Sequence, residues 1–160
     1  MFSFSDIVDF AVQIEHNGEK IYRSAQQKGA DPALCALLQW LADEELKHAA
    51  WFSELKGTVD AAMDDPQLAK MGRSLLRDVL ADQSFSLKDI DFSRVEQVQT
   101  LLLLIVEFEK DTIIFYEMLQ SFIKDKAVLG QINTIVEEER RHVQELEAYV
   151  SRGESPPVSH

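Results

Sequence analysis

Hydrophobic positions recur along most of this chain in alternating steps of four and three. That spacing marks one face of an α-helix turned toward other helices. One stripe runs Leu34, Leu38, Leu41, Glu45, His48, Phe52, Leu55; another runs Val128, Ile132, Ile135, Glu139, His142, Leu146, Tyr149. Two more run Val8, Ala11, Glu15, Gly18, Tyr22, Ala25 and Leu102, Ile105, Glu109, Thr112, Tyr116, Leu119. The pattern predicts an all-α protein, a four-helix bundle. Its stripes carry charged residues at six places where a core residue belongs.

Local signals set the boundaries. Ser5 or Asp6 can cap a first helix running to about Lys28, and Gly29-Ala30-Asp31-Pro32 reads as a turn. Asp31 suits the N-cap and Pro32 the first position of a second helix, which ends near Lys56 at Gly57. Residues 57–92 form a connector, with Asp65-Pro66 starting a short helix over 67–80. Ser93 can cap a third long helix ending near Lys124-Asp125, and a fourth ends at Gly153. The expected domain is therefore 1–153: a hairpin over 5–56, the connector, a hairpin over 93–152, then a flexible tail, 154–160.

The two hairpins repeat each other. Glu45-Leu46-Lys47-His48 and Glu139-Arg140-Arg141-His142 stand 94 residues apart. So do Glu15 and Glu109, Tyr22 and Tyr116, and the turn residues Asp31 and Asp125. Residue 30 lies midway between 15 and 45, and residue 124 midway between 109 and 139, each at a predicted turn. In an antiparallel hairpin such residues sit level, about 22 Å from the turn at roughly 1.5 Å per residue. A lone Glu-x-x-His on a charged helix is ordinarily a solvated pair. Two copies on core stripes, each with a glutamate at its own height, predict four carboxylates and two imidazoles in an apolar interior. Without a cation the carboxylates would repel and their pKa values would rise. Mixed oxygen and nitrogen ligation suits iron, manganese or zinc better than calcium.

Charge and composition narrow the function. The net charge of −12 disfavours nucleic acid and anionic membranes as partners. Cys35 is the sole cysteine, so neither an internal disulfide nor a cysteine knuckle is expected. The opening residues show no signal-peptide pattern, and the longest apolar run, Leu101 to Val106, is too short to span a bilayer. A cytoplasmic location is the expectation. Leu101–Val106 is apolar on every side, more than one seam requires, and predicts a homodimer contact. Glu44 and Glu138 lie about 100° off the core stripe and read as surface or interface residues.

A glutamate from each of two helices plus Glu-x-x-His from each of the other two resembles the ferritin-like di-iron carboxylate superfamily. Ile14-Glu15 through Tyr22, Leu41 through Ala49 and Glu109 through Tyr116 look like its rubrerythrin-like branch, over roughly residues 5–150. The resemblance implies two iron ions, with Glu15 and Glu109 as carboxylate ligands, Glu45 and Glu139 as bridges, and His48 and His142 each on one iron. Tyr22 and Tyr116 would hydrogen-bond ligand carboxylates from outside. Rubrerythrins typically add a rubredoxin-like iron centre, which one cysteine cannot build, and a further carboxylate on the third helix. Val106 and Thr112 cannot supply that carboxylate, and Glu19 is a candidate seventh ligand from the first helix. The implied activity is reduction of peroxide or oxygen in oxidative-stress protection. Electrons would come from an external donor, a rubredoxin-like protein or a small reductant. The alternative is an iron-binding, ferroxidase or storage protein without peroxidase turnover.

Overall fold

The computed structural model describes residues 4–29, 31–55, 70, 73–74, 93–121 and 123–152. They form four long helices: α1 (Phe4–Lys28), α2 (Pro32–Leu55), α3 (Val95–Gln120) and α4 (Lys126–Arg152). No strand occurs among the described residues. α1 packs along α2 and α3 along α4, giving two hairpins that close on one core. The tail and most of the connector, including most of its expected helix over 67–80, lie outside the described residues; Lys70, Arg73 and Ser74 are helical.

The stripes face inward as their spacing requires. Among the residues expected there, Val128 alone is only half-buried, packed against the edge of the core. Fully burying a leucine, isoleucine or phenylalanine contributes about 1.5–3 kcal/mol, so these seams dominate the stability of the bundle. Both turns are built alike. Asp31 Oδ1 accepts from Ala33 N at 3.1 Å, and Asp125 Oδ1 accepts from Ala127 N at 2.9 Å and Val128 N at 3.2 Å. Each aspartate caps the second helix of its hairpin by taking up N–H groups that the first turn leaves unpaired.

Two details differ from the sequence expectation, both at the ends of α3. α3 begins at Val95, with Arg94 rather than Ser93 in the N-cap position and no side-chain cap bond. α3 also stops at Gln120, where Ser121 Oγ bonds the carbonyl of Met118 at 2.6 Å and the chain turns so that Ile123 enters the core. Within Leu101–Val106, four residues are buried, while Leu103 and Leu104 stay 49% and 39% exposed. The run is apolar all round, but only these two side chains face outward.

Asp31 does a second job. Its Oδ2 accepts the hydroxyl of Tyr149 at 2.7 Å, tying the end of α4 to the turn of the other hairpin. Removing only this bond (Tyr149→Phe) is expected to cost about 1 kcal/mol. Asp31→Ala also removes the cap and should cost about 1 kcal/mol more. Urea unfolding of the two variants checks the order, Asp31→Ala being the less stable.

Candidate metal centre

Glutamate and histidine three apart on a helix share a face. Glu45 and His48 on α2, and Glu139 and His142 on α4, therefore point together into the bundle. Glu15 from α1 and Glu109 from α3 face them. All six are at most 3% exposed. They sort into two groups, Glu15, Glu45, His48, Glu139 and Glu45, Glu109, Glu139, His142. Within each group one ligand atom per residue lies within 4.8 Å of all the others. Glu45 and Glu139 belong to both groups, as bridging carboxylates must. The imidazoles stack with centroids 5.9 Å apart.

The histidines turn Nδ1 toward the carboxylates. His48 Nδ1 lies 2.8 Å from Glu139 Oε1 and 3.5 Å from Glu15 Oε1. His142 Nδ1 lies 3.2 Å from Glu139 Oε2 and 3.7 Å from Glu45 Oε1. The tyrosines cross between hairpins: Tyr22 donates to Glu109 Oε1 and Tyr116 to Glu15 Oε1, each at 2.6 Å. Each of these two glutamates keeps a buried Oε2 with no hydrogen-bond partner. Buried acceptors are rarely left so. Free carboxylate oxygens beside inward imidazole nitrogens are the donor set that a divalent ion needs, so the residues fit a pair of metal ions.

The electrostatics carry the same message. Burial, with the charge of Glu139, raises the pKa of Glu45, and raises that of Glu109 well above the usual range. Glu139 goes the other way: burial pushes it up, but the charge of His142 and hydrogen bonds from His142 and His48 outweigh burial and hold it well below. Burial opposes the charged imidazoles too. The carboxylates of Glu138 and Glu139 beside it nevertheless raise His48 to about 10, and the charge of Glu139 raises His142 to about 9. Both tyrosines are pushed well above 10, first by burial and then by neighbouring carboxylates, so they remain donors.

The family model for rubrerythrin matches residues 6–150. The chain belongs to the rubrerythrin family. Among solved structures, the fold is similar to that of a ferritin-like diiron-carboxylate protein from Thermotoga maritima. That likeness has a TM-score of 0.72 at 21% identity, over 95% of this chain and 97% of that one. No curated protein matches the chain in sequence. All six clustered residues, and both hairpins but for two residues at each outer end, fall within the rubrerythrin match.

Glu19, the candidate seventh ligand, stands apart from both groups. Its carboxylate accepts from Arg23 Nε at 2.8 Å, one turn along α1, and lies 3.7 Å from His16. Gly18 is where room matters: a Cβ there would lie 3.5 Å from Glu45 Cδ, so any side chain beyond alanine would press on that carboxylate. Two residues next to the site were not singled out as part of it from sequence. Glu138 Oε2 reaches within 3.6 Å of His48 Nε2, and the Trp40 ring stands edge-on to His142 at 5.2 Å. Neither sits on its helix's core stripe, the feature that exposed the other six.

These ionisations set a pH dependence. Histidines raised above the unfolded value of ~6.5 contribute stability that is full below that pH and lost as pH rises through about 9 to 10. The raised carboxylates act in the same direction, since the folded state again binds the extra protons. The melting temperature of metal-free protein is therefore expected to fall between pH 6.5 and pH 10. Saturating divalent metal, which replaces those protons, should flatten the fall. Differential scanning calorimetry with and without metal checks both.

Proposed function

We propose that this protein is a non-haem di-iron oxidoreductase of rubrerythrin type, reducing peroxide or oxygen with electrons from an external donor. The observation that carries this reading is the pair of four-residue groups sharing Glu45 and Glu139. Two iron ions bound there would supply the two electrons of the reduction.

The chain's own residues do the rest. Glu45 and Glu139 would span the two ions and keep them adjacent. Glu15 with His48, and Glu109 with His142, would complete one ion each. Tyr22 and Tyr116 hold the outer glutamates through Oε1, leaving Oε2 for the metal. Phe52 and Phe115 pack against Tyr116 within the core and keep bulk water from that side. The donor would be a rubredoxin-like protein or a small reductant. Leu103 and Leu104, exposed on α3, would form the homodimer contact, a point that sedimentation decides.

Anaerobic loading with Fe(II) is expected to give two ions per chain. Mixing with peroxide or oxygen should then oxidise them rapidly, followed by near-ultraviolet absorption in stopped flow. Slow oxidation by both overturns the reading. Glu45→Ala and Glu139→Ala each remove a bridge and should lower bound iron below two per chain. A large multimer holding many more irons than that would favour the storage alternative.

A further inference from the structure

The repeat relates Glu15 to Glu109, Glu45 to Glu139 and His48 to His142. If their surroundings obeyed it too, the two metal positions would be equivalent. They do not. Behind His48 stands Glu138, its Oε2 3.6 Å from Nε2. The repeat mate of Glu138 is Glu44, which instead takes Lys47 Nζ at 3.3 Å. Neither Nε2 has a hydrogen-bond partner, but His48 Nε2 has a carboxylate within ion-pair range, whereas the ion pairs of His142 among the described residues run through Nδ1 alone, to Glu45 and Glu139. The His142 ring stands nearly perpendicular to that of Trp40, at an interplanar angle of 80°, with the Arg141 guanidinium 5.6 Å from the indole centroid. The repeat mate of Trp40 is Thr134, whose hydroxyl bonds the carbonyl of Gly130 on its own helix.

The chemistry of the difference is direct. A histidine that holds a cation through Nδ1 carries its ring proton on Nε2. A carboxylate at ion-pair distance favours the tautomer with the proton on its side, and a small shift that let it accept that proton would fix the ring and make Nδ1 a stronger donor. An indole offers no such carboxylate. We propose that the two metal positions are inequivalent, with Glu138 as a positioning residue that makes the Glu15–His48 position the tighter and first filled. Glu138 keeps 37% of its side chain exposed, so the Glu138–His48 contact also links this metal position to solvent.

This inference rests on the two-metal reading above, and one titration separates the two. Co(II) is added to metal-free protein against a chelator of known affinity, with the visible ligand-field bands recorded at each step. Two ions binding in distinct steps with different spectra is the expected result. Glu138→Ala should weaken the first step roughly 10–100-fold and change its spectrum, leaving the second. Glu138→Gln, which keeps an acceptor without the charge, should lose less. Glu137→Gln removes the same charge from the neighbouring exposed residue that pairs with Arg140, and should change neither step. In a double-mutant cycle, the Glu138→Ala effect should vanish on a His48→Gln background and persist on His142→Gln. Two ions binding with equal affinity, or Glu138→Ala matching Glu137→Gln, overturns the inequivalence while sparing the metal site. Fewer than two ions bound overturns both. Circular dichroism confirms that each variant folds; should the histidine variants fail it, the comparison of positions 137 and 138 decides alone.

Discussion

Four carboxylates sit in the middle of an apolar bundle, and the rest of the architecture answers to them. Taking one charge out of water carries an effective penalty of several kcal/mol, and like charges side by side add to it. In the metal-free protein the penalty is met by sharing protons. Burial and mutual repulsion push Glu45 and Glu109 up, Glu139 stays charged between the imidazoles, and His48 and His142 hold their protons far above neutrality. Two divalent cations would do the same work with fixed charge. The apolar stripes above and below supply the stability that lets so polar a layer persist.

The tyrosines show how one contact can serve fold and site together. Each comes from one hairpin and donates to the outer glutamate of the other. The pair is therefore a reciprocal tie across the interface between hairpins, at the level where that interface is most polar. Each tie satisfies one carboxylate oxygen and orients the other. Turn geometry reinforces the register, because Asp31 and Asp125 start their helices at equivalent points. The level of Glu45 and Glu139 along the bundle is thus set by caps far from either.

Most of this was legible in the sequence because a charged residue on a core stripe contradicts its surroundings, and one spacing of 94 explained all six contradictions at once. What escaped was what neighbouring helices do to off-stripe residues. Glu138 reads as a surface residue on its own helix, yet α2 brings His48 to within 3.6 Å of it. Glu19 reads from sequence as surface or site alike, and the structure pairs it with Arg23 on the same helix. Helical phase tells which way a side chain leaves its own axis. It does not tell what the opposite helix places there. Ser93 failed for a more local reason: a good capping residue does not start a helix when the chain turns in two residues later, at Val95.

A repeated hairpin can double a ligand set at no cost in sequence complexity, but it would make two identical halves. In the reaction proposed above, unlike halves would let the two metal positions play different parts. The departures from the repeat fall not on the six clustered residues, which match in type and spacing, but one contact further out. There a carboxylate faces one imidazole and an indole faces the other. Changing those outer contacts would tune each proposed metal position without disturbing Glu45 and Glu139, which both groups share.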